Sequence, residues 1–313
     1  MEDGIFFNLA DEAYHAEKRL SSSGIRDILN NPTYFWFNSN FNPLKEEKAS
    51  EAMSDGRIFH AMILEGDKFN KKFKVTPPEI EVLNKNSSEY KIWKSAQTLE
   101  IIPNAKFKKF NLICEYLRQD EQLLDCNLFK DGFPEISIFW TEGGIKRKAR
   151  IDYLKRGQII DLKTFIKTKK NAISSYVAQY FFSFKVYLQL IYYRRALLFA
   201  LQNDLPVKGT KEQTAFWESL KEIEDFMLEV AFVNRELPQW VVKVFRQDDC
   251  PDLWRLGEKQ IQQAEQTFLE YMEAFGEKSA WLQNNEITPE GLLFTDADFP
   301  QSFYELLQGA NYE

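Results

Sequence analysis

The segment from Lys146 to Lys170 places two carboxylates and a lysine in one predicted β-hairpin. Arg156-Gly157 is a turn signal, and apolar residues dominate the segments on both sides of it. If the loop consists of those two residues, Asp152 is paired directly with Asp161. Two aspartates opposite each other would lie ~5 Å apart and repel. A bound divalent cation would remove that penalty, because hard cations favour carboxylate oxygens.

The same register sorts the hairpin into a charged face and an apolar face, because side chains alternate along a strand. It pairs Arg150 with Lys163. The predicted charged face consists of Arg150, Asp152, Asp161 and Lys163. The predicted apolar, core-facing set consists of Ala149, Ile151, Tyr153, Ile160 and Leu162. The alternative is a solvent-facing strand pair with scattered charges.

Positive charge is concentrated around these aspartates. Residues 146–170 contain ten Lys or Arg and two acids, a local balance of +8. The whole chain has a net charge of −7, so the remainder sums to −15. A basic segment on an acidic protein favours a polyanion backbone as ligand. A solvated, lysine-rich edge strand is the alternative, but it does not account for two aspartates at the segment's centre.

Length and composition predict one elaborated globular domain, or one domain with appendages. The 313 residues are 44% hydrophobic and 15% aromatic. The three cysteines have no metal-ligand spacing, which argues against a zinc or iron–sulfur site and fits a reducing cytoplasm. The N-terminus lacks the basic region of a secretory signal, and no apolar run is long enough to span a membrane. We therefore expect a cytoplasmic protein.

The order of predicted elements indicates an α/β fold with a central mixed β-sheet flanked by helices. Residues 1–130 are predicted to be mainly helical, and residues 131–275 to form the core with five strands. One long amphipathic helix is expected over about residues 172–203. The tail, 276–313, is rich in acids and aromatics and has no predicted role.

One of only two histidines, His60, lies on a predicted helix covering about residues 49–65. Gly56 is on the same face of that helix, where glycine costs about 1 kcal/mol. The glycine suggests that something approaches the helix closely beside His60. A neutral imidazole is an acceptable third metal ligand next to two carboxylates. The alternative is a packed or surface histidine.

Gln189 and Tyr193 are four residues apart on the predicted long helix and therefore adjacent on one face. Tyr193 could simply belong to an aromatic core stripe. Gln189 fits that interpretation poorly, because a buried amide needs hydrogen-bond partners.

Five patterns in this order resemble those of the PD-(D/E)xK nuclease superfamily, and most closely its RecE-type exonuclease domain, a relative of the RecB-type nucleases. They are G-x-x-x-H (Gly56 to His60), a strand glutamate (Glu135), R-x-D (Arg150 to Asp152), D-x-K (Asp161 to Lys163) and Q-x-x-x-Y (Gln189 to Tyr193). The likeness covers about residues 14–275. Two departures are that Ile151 replaces the proline before the first aspartate, and that Asp161 replaces the commoner glutamate.

The resemblance implies an α/β nuclease core that binds Mg²⁺ or Mn²⁺. The implied metal ligands are His60, Asp152, Asp161 and the backbone carbonyl of Leu162. Lys163 is implied to position or activate water and to stabilise the charge on the phosphate, and Gln189 to orient the lysine side of the site. It implies that Tyr193 contacts DNA, and Glu135 and Arg150 are further candidate contacts. The basic segment adds Lys167, Lys169 and Lys170 as candidate DNA contacts.

The same resemblance implies a 5′→3′ exonuclease on linear duplex DNA. It would leave 3′ overhangs for a single-strand annealing recombinase and act as a homo-oligomer. Two alternatives remain at this point: a RecB-like nuclease acting on single strands, and a non-catalytic DNA-binding protein on a nuclease fold.

Overall fold

The computed structural model describes residues 1–45, 51–119, 128–166 and 173–282. The described strands are β1 (Gly4–Phe6), β2 (Phe73–Val75), β3 (Glu100–Ile102), β4 (Gly132–Glu142), β5 (Ile145–Lys155), β6 (Gln158–Phe165), β7 (Val207–Lys208), β8 (Met227–Asn234) and β9 (Trp240–Phe245). The described α-helices are α1 (Asp11–Ala16), α2 (Ser22–Asn30), α3 (Pro32–Asn38), α4 (Glu51–His60), α5 (Phe69–Lys72), α6 (Pro78–Glu81), α7 (Ser88–Ser95), α8 (Asn104–Gln119), α9 (Ile173–Ser183), α10 (Val186–Gln202), α11 (Lys211–Ser219) and α12 (Pro251–Phe275).

The central sheet has seven strands in the order β7-β1-β4-β5-β6-β8-β9. β1 is parallel to β7 and β6 is parallel to β8, whereas the other neighbours are antiparallel. This is the mixed, helix-flanked sheet of an α/β fold, as predicted. The N-terminal region, predicted to be mainly helical, also contributes β1 to this sheet.

The β5–β6 hairpin forms at the predicted turn. Gly157 has a φ of +79°, which glycine adopts without steric cost. Lys155 pairs with Gln158 beside the turn, and the ladder continues in the predicted register to Tyr153 and Ile160.

The predicted pairings of Asp152 with Asp161 and of Arg150 with Lys163 are wrong, because the β5–β6 ladder ends before them. The backbone N–H of Leu162 donates to Asp152 Oδ2 at 2.8 Å. A side-chain carboxylate thus takes a donor that a continued ladder would have used. On its other side β6 stays paired with β8 along its whole length.

β4, which pairs with the opposite edge of β5, is irregular at Glu135. Pro134 pairs with Tyr153 and Ile136 pairs with Ile151, but Glu135 between them has a φ of +55°. A non-glycine residue in this left-handed region is strained, and such strain is concentrated at functional sites.

The predicted long helix is broken into α9 and α10. Lys185, between them, has a φ of +50°, which a continuous right-handed helix does not allow. Gln189 and Tyr193 both lie on α10, so their predicted spacing on one helix face is retained.

Two hydrophobic cores cover the two faces of the sheet. The main core packs the sheet against helices that include α2, α10 and α12, and a second core packs β6 and β8 against α4 and α8. The five predicted apolar residues are all buried, but they do not share one core. Ala149 and Ile151 belong to the main core, whereas Tyr153, Ile160 and Leu162 belong to the second.

Three charges of the basic segment are buried in β5. Arg147, Lys148 and Arg150 are 2%, 8% and 8% exposed. Arg147 Nε donates to Glu265 at 2.8 Å, and Lys148 Nζ donates to the carbonyl oxygen of Tyr14 at 3.0 Å. Burial lowers the pKa of Lys148 to about 8. These cations attach β5 to other elements, so the segment's sequence charge overstates the charge it offers to a ligand.

Within the four described segments, no helix combines the length and the apolar character needed to cross a membrane.

Gly132, the first residue of β4, and Gly56, on α4, are expected to respond oppositely to alanine. At Gly132, a Cβ would overlap the backbone oxygen of Leu154 and lie 2.8 Å from Tyr153 Cε1. We expect Gly132→Ala to lower the free energy of unfolding by roughly 1–3 kcal/mol through overpacking. At Gly56 the nearest atom, Thr164 Oγ1, would be 3.8 Å away. Gly56→Ala should therefore raise the free energy of unfolding by about 0.5–1 kcal/mol.

Urea denaturation of the two variants beside the wild type measures both changes. Equal effects of the two substitutions would contradict these local geometries.

Candidate functional site

Beyond the last β5–β6 pair, Tyr153–Ile160, the two strands separate, and we call this gap the opening. His60 is the last residue of α4 and lies at the opening beside β6. Its neighbours Ile58 and Phe59 are buried in the second core, which fixes the end of the helix against the sheet. The Nε2 atom lies 2.8 Å from the carbonyl oxygen of Leu162. The Nδ1 atom lies 3.9 Å from a carboxylate oxygen of Glu135 and 3.9 Å from Asp152 Oδ2. The two ring nitrogens therefore connect β6 to the carboxylates on β4 and β5.

Glu135, Asp152 and His60 form a group that could hold a metal ion. One ligand atom from each lies within 4.8 Å of the others. The irregular backbone at Glu135 interrupts β4 next to Asp152. The irregular point of the strand therefore lies at the candidate metal site. Glu135, predicted only as a DNA contact, thus lies among the candidate metal ligands. The available signal was Pro134, because proline inside a strand often marks a break in its pairing.

Asp161 is fully buried and lies in a second polar group next to the first. Its Oδ1 atom accepts from Lys163 Nζ at 2.7 Å and from Gln189 Nε2 at 2.9 Å. Gln189 Nε2 also donates to the hydroxyl of Tyr193 at 2.5 Å. Gln189 thus has the partners that its position on α10 requires.

Burial raises the pKa of Asp161 to about 6; Lys163 opposes this shift and Asp152 adds to it. Burial alone would lower the pKa of His60, but the carboxylates of Asp152 and Glu135 raise it to about 9. The Asp161 shift thus comes mainly from burial, and the His60 shift comes from the neighbouring carboxylates. A cation held between these groups would relieve the repulsion and favour neutral imidazole together with ionised carboxylates.

The donor set fits a hard divalent cation. Carboxylate oxygens are the preferred ligands of Mg²⁺, and imidazole is an acceptable nitrogen ligand for Mn²⁺. Asp161 Oδ2 is buried and has no hydrogen-bond partner in the described parts of the chain. Buried polar atoms without a partner are uncommon in proteins, and a bound cation would satisfy this one. His60, Glu135 and Asp152 thus meet the distance requirement for one metal centre, whereas Asp161, predicted as a ligand, lies beside this group and outside it.

Two residues expected to contact DNA are buried and already bonded. Arg150 Nε donates to Ser137 Oγ at 2.9 Å, and its Nη1 donates to Asp11 Oδ1 at 2.6 Å. The guanidinium also lies over the ring of Tyr14, 4.2 Å from its centroid. Tyr193 is 6% exposed, and its hydroxyl accepts the hydrogen bond from Gln189. Arg150 thus connects the N-terminal segment to β5, and Asp11 and Tyr14 gave no sequence signal of this role.

Arg150 also helps to position Glu135. Its Nε atom is 3.8 Å from Glu135 Oε2, on the carboxylate whose other oxygen faces His60. The remaining expected DNA contacts, Lys167, Lys169 and Lys170, lie outside the described residues.

Residues 21–207 match the family described as "PDDEXK-like domain of unknown function (DUF3799)". The match covers more than half of the sequence and includes His60, Glu135, Asp152, Asp161 and Gln189. The chain belongs to this family. The sequence-based resemblance to the PD-(D/E)xK superfamily is thereby confirmed, and the fold is that of a PD-(D/E)xK nuclease.

The fold of this DUF3799 protein also has a solved counterpart. The crystal structure named "Putative exonuclease" from Eubacterium rectale matches it with a TM-score of 0.52 at 15% identity. The match covers 98% of this chain and 100% of that one, so the shared architecture extends beyond residue 207. No curated protein sequence matches the chain.

Glu135 is expected to contribute to metal affinity. Mn²⁺ at 100 times its dissociation constant should raise the free energy of unfolding by about 2.7 kcal/mol. Glu135→Gln should remove most of this increase, because it replaces a charged ligand with a neutral one. The measurement is a thermal melt with and without Mn²⁺ for each protein.

Glu100→Gln is the matched control, since Glu100 pairs with Arg57 on the same helix as His60. A full Mn²⁺ effect in Glu135→Gln would exclude this carboxylate as a ligand.

Proposed function

We propose that this chain is a divalent-metal-dependent DNA exonuclease of the RecE type. It would hydrolyse phosphodiester bonds 5′→3′ on linear duplex DNA in the cytoplasm and leave 3′ overhangs for a single-strand annealing recombinase. The observation that carries the proposal is the convergence of two groups at the opening of the β5–β6 ladder. His60, Glu135 and Asp152 lie within ligand distance of one another, and Asp161 next to them holds Lys163.

The metal centre would supply the electrophilic part of the reaction. His60, Glu135, Asp152 and Asp161, with the Leu162 carbonyl as a further candidate, would hold Mg²⁺ or Mn²⁺, which would neutralise phosphate charge and lower the pKa of the attacking water. Arg150 keeps the Glu135 carboxylate aimed at this centre.

Lys163 would supply the second positive charge. Its ammonium is half-buried and is fixed by Asp161 Oδ1 at 2.7 Å. Burial opposes the charged form, but Asp161 and Asp152 raise the pKa of Lys163, so that it stays protonated. A fixed cation in a partly dry site stabilises negative charge developing on the phosphate.

Gln189 orients the lysine side of the site through Asp161. Its amide donates to the same Oδ1 atom that accepts the hydrogen bond from the Lys163 ammonium. Both donors restrict the rotation of the carboxylate and leave its other oxygen, Oδ2, for the metal. Tyr193 in turn holds the amide from the next helical turn.

Removing either aspartate should abolish metal-dependent cleavage. We expect Asp152→Ala and Asp161→Ala each to lower the rate roughly 10³-fold or more, because each removes a ligand of the cation that activates water. Lys163→Ala should lower the rate roughly 10²- to 10³-fold while leaving Mn²⁺ stabilisation largely intact. The assay is release of nucleotides from end-labelled linear duplex with Mg²⁺, Mn²⁺ or EDTA.

Lys221→Ala is the matched control for Lys163, since Lys221 is a surface lysine paired with Asp204. Near wild-type cleavage by Asp161→Ala would refute the site. A wild-type protein that binds DNA without cutting it under any of these conditions would instead favour a non-catalytic role.

The substrate is expected to be a DNA end. With a net charge of −7, a single copy has little long-range attraction for DNA. A homo-oligomer closed by cyclic symmetry would join local basic patches into one channel. We therefore expect an oligomer that shortens linear duplex processively and leaves covalently closed circles intact.

Light scattering gives the mass, and a trap of excess unlabelled DNA gives the processivity. A monomer that nicks closed circles as fast as it shortens linear duplex would favour the RecB-like alternative.

A further inference from the structure

Three aromatic residues follow one another at four-residue spacing along α9 and the turn after it. They are Tyr176, Tyr180 and Phe184. The N–H of Phe184 donates to the carbonyl oxygen of Tyr180 at 3.0 Å, so the helical spacing continues past the last residue of α9. Residues at this spacing share one helix face.

The rings form a continuous series from the core to the surface. Tyr176 packs on the buried ring of Phe165 with centroids 5.1 Å apart, and Tyr180 packs against buried Phe232 at 5.8 Å. The Tyr180 and Phe184 rings are 4.3 Å apart. Tyr180 is partly buried, whereas Phe184 is 54% exposed. The series therefore ends in an exposed ring held by the partly buried one.

The inner end of this series lies beside the candidate nuclease site. Burial raises the pKa of the Tyr180 hydroxyl. The nearby charge of Lys163 lowers this pKa, and that of Asp161 raises it. Phe232, which Tyr180 contacts, pairs with Lys163 across the β6–β8 ladder. Tyr180 thus stands next to the lysine that would meet the scissile phosphate.

The outer end of the series carries a positive charge. Arg26, on α2, donates from Nη1 to the carbonyl oxygen of Phe184 at 3.2 Å. Its charge also acts on the Tyr180 hydroxyl. Within the described parts of the chain its guanidinium makes no ion pair. An exposed aromatic ring next to a cation with donors to spare is a combination that suits nucleic acid.

We propose that Tyr180 and Phe184 form a stacking platform for an unpaired base of the DNA strand whose backbone reaches Lys163, with Arg26 contacting a neighbouring phosphate. This inference rests on the proposed nuclease function and specifies its substrate, which is a strand with unstacked bases next to the bond that is cut. Every base has a π-face, so a platform of this kind binds without sequence preference.

A nucleobase fits this surface better than a purely apolar partner does. The aromatic rings are flanked by Lys163 on the inner side and Arg26 on the outer side, and both cations match a phosphate backbone. A hydrophobic protein segment would satisfy the rings but would offer no acceptor to the Arg26 guanidinium beside them.

The test is DNA binding by variants in an Asp161→Asn background, which keeps the shape of the site and prevents cleavage during the measurement. The probe is a short single strand carrying 2-aminopurine, whose fluorescence falls when the base stacks on an aromatic ring. Phe184→Ala should weaken binding of this strand about tenfold, within the roughly 5- to 150-fold range for loss of one stacked base. It should also abolish the quenching, whereas Phe184→Trp should retain both.

Phe182→Ala is the matched control. Phe182 is 59% exposed on the same helix but contacts Tyr187 and does not belong to the series. It should leave affinity and quenching unchanged. Phe184→Leu keeps an apolar side chain without a flat ring and should behave like Phe184→Ala.

Loss of affinity and quenching in Phe184→Ala and Phe184→Leu, with a normal Phe182→Ala, supports the platform. Equal losses in Phe182→Ala and Phe184→Ala, or full binding by Phe184→Leu, would overturn it in favour of a general apolar patch. If the protein with Asp161 intact cuts DNA and Phe184→Ala binds normally, the platform fails while the proposed nuclease function stands. If the protein neither binds nor cuts DNA, both fail.

Discussion

The opening between β5 and β6 is the feature on which the candidate site depends. The two strands pair next to their turn, but the ladder ends before Asp152. There the Asp152 carboxylate accepts a hydrogen bond from the N–H of Leu162. A continuous ladder would have filled this space with backbone. The opening instead admits the His60 imidazole to the carbonyl side of β6 and leaves room for Glu135 at the irregular point of β4. β6 remains paired with β8 along its whole length, so it stays part of the sheet beside the opening.

Negative charge at this opening is held in place by cations that serve different purposes. Arg150 is buried and anchors the N-terminal segment through Asp11, so its role is to position the neighbouring carboxylate. Lys163 is half-buried and points its ammonium at Asp161, and it is the cation that we propose takes part in the chemistry. Such a cluster of carboxylates is costly in a shielded site unless cations balance it. Burial raises the pKa of Asp161, and the carboxylates of Asp152 and Glu135 raise that of His60.

The break between Ser183 and Val186 lets two helices contact the candidate site from different directions. α10 delivers Gln189 to Asp161, while α9 brings Tyr180 beside Lys163 and ends in the exposed ring of Phe184. A single straight helix could not supply both, because the left-handed residue Lys185 changes the direction of the chain between them.

Local chemistry in the sequence determined much of this protein. The turn at Gly157, the hairpin register next to it and the spacing of Gln189 and Tyr193 all follow from interactions within a few residues, and they were correctly predicted. The order of the five motifs was sufficient to recognise the PD-(D/E)xK superfamily. The tertiary structure alone decided the end of the β5–β6 ladder, because a side-chain acceptor competes there with a backbone acceptor. It also decided that Arg147, Lys148 and Arg150 are buried, since their partners come from distant segments. Glu135 joins His60 for the same reason: a strained β4 residue and the end of α4 meet only once the sheet and the second core have packed.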